Sequence, residues 1–282
     1  MQRTSITKEL VSTYISNRVV EADKHAFGHA LLIAGSYGMV GAACLAAKAS
    51  LRSGLGLLTV HSPNCAYNIL QTSVPEAMVL PSGDDEFLYA LPDISRFNYI
   101  AVGPGLSLHP DTTSFIDDLL LLNKKMIIDA DAINIIAKNN WQERISDGSL
   151  ICPNLNEFNR FFNTQYDLQS ARANFESITK DLKINVILKG SESLLYFVNK
   201  GVYINTTGNS GMAKAGSGDV LTGMLLALWS RYQDLEKASV LAVYLHGKAG
   251  DIAVANSHEE SLIASDIIES IAAAFREVYK NR

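Results

Sequence analysis

Thr207-Gly208-Asn209-Ser210-Gly211-Met212-Ala213-Lys214-Ala215-Gly216-Ser217-Gly218-Asp219-Val220-Leu221-Thr222-Gly223 is the stretch on which the reading of this chain turns. Its glycines let backbone amides approach an anion without side-chain obstruction. Just past Gly218 an apolar helical pattern begins with Val220, Leu221, Met224, Leu225 and Leu228. The loop therefore brings its amides and the positive end of a helix dipole to one place, which makes a phosphate site. Asp219 falls in the first turn of that helix, where two roles compete for it: a carboxylate that caps the helix, or a base beside the phosphates. No GxxxxGKS or GxxxxGKT run occurs, so the loop is not a P-loop, and it sits far from the first strand.

Upstream, from about Ala30, short apolar runs alternate with longer helical patterns. Strands are expected at Ala30–Ala34, Leu57–Val60, Tyr99–Val102, Met126–Asp129, Ser149–Cys152 and Val186–Leu188. Helices are expected between them at Gly41–Ser53, Thr112–Leu122, Asp131–Lys138, Asn156–Phe162 and Leu168–Leu182. This alternation implies right-handed βαβ units and a mainly parallel sheet covered on both faces. After Lys189 the pattern changes. Ser193–Val198 and Gly201–Asn205 flank Asn199-Lys200 as a hairpin expected on the sheet edge. Three helices then finish the chain at Gly218–Tyr232, Leu235–Asn256 and Ser265–Tyr279. No linker, low-complexity stretch or repeat interrupts this order, so residues 1–282 read as a single domain, with residues 1–24 as an N-terminal extension.

Bulk properties exclude several classes of function. The net charge is −5 and no Lys/Arg-rich run occurs, which argues against nucleic-acid binding. The three cysteines, Cys44, Cys65 and Cys152, are scattered and odd in number, so neither a disulfide framework nor a structural zinc site is expected. The six histidines show no metal-ligand spacing, and His246, inside an apolar helical run, reads as a packed residue. No metal cluster is expected. No apolar run is long enough to span a membrane, no secretory signal opens the chain, and a cytoplasmic location is expected.

The signature segment resembles that of the ribokinase-like superfamily, in which a GxGD turn forms an anion hole and its Asp deprotonates a hydroxyl. Within that superfamily the run from Gly208 to Gly223 is similar to the ADP-dependent NAD(P)H-hydrate dehydratases. The likeness extends from about Lys24 to the C-terminus through further motifs in order. These are Gly28-His29-Ala30-Leu31-Leu32-Ile33-Ala34-Gly35-Ser36, Val102-Gly103-Pro104-Gly105-Leu106, Ile128-Asp129-Ala130-Asp131-Ala132, Pro153-Asn154-Leu155-Asn156-Glu157-Phe158 and Ile187-Leu188-Lys189-Gly190-Ser191-Glu192-Ser193. Three positions depart from the common pattern: Asn154 where many members have His, Ser210 where Pro is common, and Lys214 where a small or polar residue is common.

The resemblance implies a three-layer α/β/α fold and a defined chemistry. ADP, or ATP, would phosphorylate the 6-hydroxyl of hydrated NADH or NADPH (NADHX, NADPHX), and elimination of phosphate would restore the cofactor and leave AMP. Asp219 would be the base. Lys189, Gly190, Ser191, Glu192, Ser193, Gly216, Ser217 and Gly218 would bind the nucleotide. Ala43, Gly105, Asn154, Glu157 and Asp219 would meet the dinucleotide, with Mg2+ on the phosphates. The resemblance also implies a homotetramer and a separate epimerase, because too few residues precede the first expected strand for an epimerase domain. On the residues alone Lys189 is open between a solvated strand-end charge and a phosphate partner. Asp131 is equally open between a helix cap and a role at the site. A small-molecule kinase of the same superfamily, acting on hydroxymethylpyrimidine or a thiazole alcohol, is the alternative; a nucleotide sensor without catalysis is a weaker one.

Overall fold

Strands that are apolar on both sides need cover on both sides, and that requirement organises the molecule. In the computed structural model, which describes residues 3–18 and 21–279, a ten-stranded sheet forms the centre. Its strands are β1 (Arg3–Ser5), β2 (His29–Ile33), β3 (Leu57–Ser62), β4 (Met78–Pro81), β5 (Tyr99–Val102), β6 (Ile127–Ile128), β7 (Leu150–Ile151), β8 (Asn185–Leu188), β9 (Ser193–Phe197) and β10 (Gly201–Asn205). The order across the sheet is β1-β10-β9-β8-β7-β6-β5-β2-β3-β4. Pairing is antiparallel only for β8–β9 and β9–β10 and parallel elsewhere.

Successive residues of a strand point to opposite faces, and the two cores follow that alternation. Ala30, Leu32, Ala101 and Ile127 pack on one side with helices α2 (Val40–Arg52), α8 (Ser217–Tyr232), α9 (Leu235–Ala255) and α10 (Ala264–Tyr279). Leu31, Ile33, Ile100, Val102 and Ile128 pack on the other with α4 (Pro110–Leu121), α5 (Ala130–Lys138), α6 (Leu155–Phe162) and α7 (Leu168–Thr179). This is the three-layer α/β/α arrangement expected from the sequence.

Two strands and two short helices, α1 (Lys8–Tyr14) and α3 (Tyr67–Ser73), lie outside the sequence reading. β1 has three residues with no apolar run; β4 has a short apolar run, Met78-Val79-Leu80, but the strand's two ends are exposed and its middle only partly buried, unlike the fully buried strands. The segment read as an N-terminal extension thus supplies β1, which pairs parallel to β10. The β9–β10 hairpin lies one strand in from the edge where the sequence reading had put it.

From β2 the chain moves outward to β3 and β4, then returns to the other side of β2 for β5. The crevice between β2 and β5, at the carboxyl ends of the strands, is therefore a topological switch point, the place where open α/β sheets take ligands.

Candidate active site

The start of α8 has no side-chain cap among the described residues. Its N-cap is Gly216, whose φ of 91° is left-handed and favours glycine. A Cβ at Gly216 would also lie 2.6 Å from Leu45 Cδ1, so the bare backbone lets the loop press against α2. Asp219 sits in the first turn but does not cap it, which removes the structural reading of that carboxylate. The preceding loop is tied down from α9: Gly208 N–H and the Asn209 amide donate to the Asp251 carboxylate at 3.1 Å each, and Thr207 Oγ1 donates to the Tyr244 carbonyl at 3.0 Å. Both departures in this loop find partners on one turn. Ser210 bonds the Glu259 carboxylate and Lys214 the Glu260 carbonyl, so Lys214 is not an additional charge for the anion.

Beneath the helix start lies a buried ionic network. Asp129, 1% exposed, accepts from Lys189 Nζ at 2.6 Å, from Thr222 Oγ1 at 2.5 Å and from its neighbour's amide, Ala130 N, at 2.7 Å. Lys189 also faces Glu157 Oε2 at 3.8 Å. Burial works against the Lys189 charge, but Asp129 and Glu157 overcome it and raise its pKa, so it stays protonated. A Cβ on Gly218 would stand 3.5 Å from Lys189 Nζ, which puts this cation directly beside the start of α8. Lys189 is therefore neither a solvated charge nor a free one. Gly190, Ser191 and Glu192 form the exposed turn that follows it, fastened to α7 by Arg172, which donates to Ser191 Oγ at 3.1 Å and to the Glu192 carbonyl at 3.2 Å. Ser193 is buried at the start of β9.

Asn154 and Glu157 close the start of α6 as a capping box. The Asn154 side-chain oxygen accepts from Asn156 N at 2.9 Å and Glu157 N at 3.0 Å, and Glu157 Oε2 accepts from Asn154 N at 2.8 Å. Asn154 is exposed and Glu157 is buried, so of the two only Asn154 is presented to the rim.

At the switch point the loops after β2 and β5 clasp each other. Gly35 N–H donates to the Pro104 carbonyl at 2.9 Å. Gly105, with φ 61°, leaves a notch: a Cβ there would be 2.7 Å from the Met39 carbonyl oxygen and 2.9 Å from Ala42 Cβ. Ala43 is fully buried one residue further on, so it borders this notch from behind without a surface of its own. Asp131, in the first turn of α5, is not that helix's cap; Asp129 is. Its Oδ2 instead accepts from Ser107 N at 2.9 Å, which ties the β5 loop to the carboxylates below α8.

These surroundings set the protonation of the site. Burial first, then the charges of Asp129, Asp131 and Glu157, raise the Asp219 pKa from 3.8 to about 7, against a lowering contribution from Lys189. Such a carboxylate is ionised in a large fraction at neutral pH yet is a stronger proton acceptor than an ordinary Asp. His246, which the sequence marks as packed, is half-buried; desolvation drives its pKa down to about 4, so it is neutral and donates from Nε2 to the Ser217 carbonyl at 3.0 Å. It braces the first turn of α8 from α9.

Thr222 and Asp129 are the members of the site that sequence reading did not single out as ligands or partners. Their signals were present: Thr222 lies three residues after Asp219, on the same side of a helix, and Asp129 ends a buried strand. Gly223 has a different purpose. It lets α8 approach α2, where Ser50 Oγ donates to both the Ala46 and Gly223 carbonyls at 2.9 Å. No group of three or more His, Cys, Asp or Glu side chains fit to hold a metal occurs among the described residues. Magnesium needs no such cage when phosphate oxygens and water supply most of its ligands.

Comparison with known proteins points to one chemistry. A family profile described as NAD(P)H-hydrate dehydratase matches residues 30–273. The ADP-dependent (S)-NAD(P)H-hydrate dehydratase of Bacillus subtilis is 32% identical over 93% of this chain and 94% of its own length. A bifunctional NAD(P)H-hydrate repair enzyme of Moorella thermoacetica is 31% identical over 97% of this chain, which spans 54% of that protein. The chain thus spans about half the length of the bifunctional relatives it matches. A crystal structure of the ADP/ATP-dependent NAD(P)H-hydrate dehydratase from Bacillus subtilis, co-crystallised with ATP and Mg2+, superposes with a TM-score of 0.84 at 28% identity, covering 98% of both chains.

Proposed function

We infer the chemistry of this site from one premise: the chain belongs to the NAD(P)H-hydrate dehydratase family. It is an ADP-dependent dehydratase that returns NADHX and NADPHX to NADH and NADPH, with release of AMP and phosphate. The observation that carries this reading is an uncapped helix start holding a carboxylate of raised proton affinity, Asp219, inside the matched segment. The relatives at about this level of identity are dehydratases, which leaves the vitamin-precursor kinase as the weaker reading.

In the reaction the 6-hydroxyl of the hydrated ring is the nucleophile. Asp219 takes its proton as the new O–P bond forms at the terminal phosphoryl of ADP and the bond to AMP breaks. Amides from Ala215 to Gly218 receive the charge that builds on the moving phosphoryl group. Lys189 adds a fixed cation beside them, oriented by Asp129. The C6–O bond of the phosphate ester then breaks, phosphate leaving with the electron pair while the C5 proton passes to water, and the conjugated dihydropyridine returns. Magnesium on the nucleotide phosphates supplies charge neutralisation at their oxygens.

Gly190, Ser191, Glu192 and Ser193, with Gly216, Ser217 and Gly218, form the nucleotide side. Gly105 and Asn154 face the dinucleotide, and Ala43 and Glu157 shape that side from behind. A homotetramer, an upstream epimerase and a cytoplasmic location belong to the same proposal. In its support, this chain corresponds to about half of the bifunctional repair enzymes, and no helix among the described residues is long and apolar enough to cross a membrane.

The test is recovery of reduced-nicotinamide absorbance when purified protein, Mg2+ and hydrated NADH are mixed with ADP or ATP. Recovery dependent on the nucleotide is expected. No recovery with either nucleotide sinks the proposal, and a phosphorylated product without phosphate release establishes a kinase.

A further inference from the structure

α2 and α8 begin at the active site and end at a second feature. They are 13 and 16 residues long, so their carboxyl ends lie roughly 20 Å from Asp219 at 1.5 Å per residue. There a pocket of about 320 Å³ is lined by Arg18, Arg52, Arg231, Ser53, Phe275 and Tyr279, a volume at the lower end of small-molecule sites. Three arginines line it in a chain whose net charge is −5.

Part of this basic cluster is structural. Arg18 donates to the Gly54 carbonyl at 2.7 Å and Arg231 to the Ser16 carbonyl at 2.8 Å, which ties the N-terminal segment to the helix ends. These bonds leave most of the five N–H donors of each guanidinium uncommitted. No carboxylate forms an ion pair with Arg18, Arg52 or Arg231 among the described residues. A Cβ built on Gly54 would lie 3.2 Å from Arg231 Nη1 and 3.4 Å from Arg18 Nη2. The two like charges therefore sit within roughly 7 Å of each other, where repulsion is appreciable. Burial and the nearby Arg231 both hold the Arg18 pKa below its ordinary value.

We propose that this pocket binds a phosphate group, held by the spare donors of Arg18, Arg52 and Arg231. The source is free inorganic phosphate or a nucleoside monophosphate whose ring lies along Phe275 and Tyr279. Guanidinium forks suit phosphate oxygens in pairs. The site is separate from the anion hole and joined to it by two rigid helices.

Inorganic phosphate and AMP are titrated separately into the protein already saturated with ADP and Mg2+, at constant ionic strength set by chloride. A saturable rise in Tm of roughly 2–4 °C is expected. Arg52→Gln, remote from the catalytic groups, should weaken that response about tenfold while matching the wild type in ligand-free Tm and in turnover. Tighter binding of AMP assigns the ester, and equal binding assigns the free oxyanion; either supports the pocket. A rise that never saturates, or one of unchanged midpoint in Arg52→Gln, overturns it.

Discussion

α6 and α8 begin on the same rim of the sheet, a lysine apart, and they begin in opposite ways. α6 is sealed by its own side chains: Asn154 and Glu157 satisfy each other's first-turn amides. α8 has a bare glycine at its N-cap, no side-chain cap, and a first-turn carboxylate that has been left out of the capping role. Loss of a cap ordinarily costs about 1 kcal/mol. A chain that caps one helix fully and leaves its neighbour open reserves those amides for something other than stability. Lys189 stands between the two, reaching Glu157 on one side and lying beside Gly218 on the other.

The largest effect should come from the open helix. Asp219→Asn is expected to lower kcat about 10²–10⁴-fold while ADP affinity, measured by calorimetry, changes little. In the wild type kcat/KM should climb with pH and level off above about 7, the pH at which Asp219 gives up its proton. The same group makes a claim on stability. Folded Asp219 keeps its proton to about pH 7, whereas unfolded it loses it near 3.8. Between those values the unfolded chain binds fewer protons, so this group makes stability fall as pH rises, and the deficit is complete above about 7. Asn carries no such penalty. Asp219→Asn should therefore exceed the wild type in stability by roughly 1–4 kcal/mol at pH 8 and lose that advantage below about pH 4. A variant that is dead but no more stable would mean that Asp219 is not desolvated as described.

The network beneath gives the next effect. Asp129→Asn strips the buried Lys189 of its partner at 2.6 Å and should cost about 3–5 kcal/mol in urea unfolding. It also removes the largest charge acting on Asp219, so the midpoint of the kcat/KM profile should move to lower pH. Thr222→Val deletes one hydrogen bond to the same carboxylate and leaves the charge, so a loss of about 1–3 kcal/mol with an unmoved pH midpoint is expected. An equal pH shift in both variants would make the effect steric, not electrostatic.

The contrast between the two helix starts was only half legible in the sequence. Glycines around Asp219 announced an open backbone, and apolar runs at Ala30–Ala34 or Val186–Leu188 announced a sheet buried on both faces, because those signals are local and periodic. β1 carries no such run, and β4 carries only the short Met78-Val79-Leu80, ended by a proline; both pair along a neighbouring strand. The Asp219 ambiguity could not be settled from position, since a cap and a base occupy the same turn; it took the hydrogen-bond pattern to separate them. Lys189, Asp129 and Thr222 are 60 and 93 residues apart in their pairings, which no window of sequence displays. Asn154 shows the opposite failure. Its match to a substrate contact was visible, while its capping bonds, three and fewer residues away, were not weighed.

Asn154 is where the comparison can be sharpened with the smallest perturbation. Its Oδ1 is spent on two α6 amides, whereas its Nδ2 has no partner among the described residues and lies on the exposed side. Two substitutions divide these atoms. Asn154→Ala removes both and should lose about 1 kcal/mol of stability together with a several-fold rise in KM for the hydrated cofactor. Asn154→Asp keeps an oxygen that caps as well as Asn does but replaces the donor with a carboxylate, so its Tm should match the wild type while KM still rises. If both variants keep the wild-type KM, Asn154 serves α6 alone, and the sealed helix takes no part in binding. A KM effect in Asn154→Asp without a stability effect would instead show that a capped helix start can still present a ligand contact, through the one atom its cap does not use.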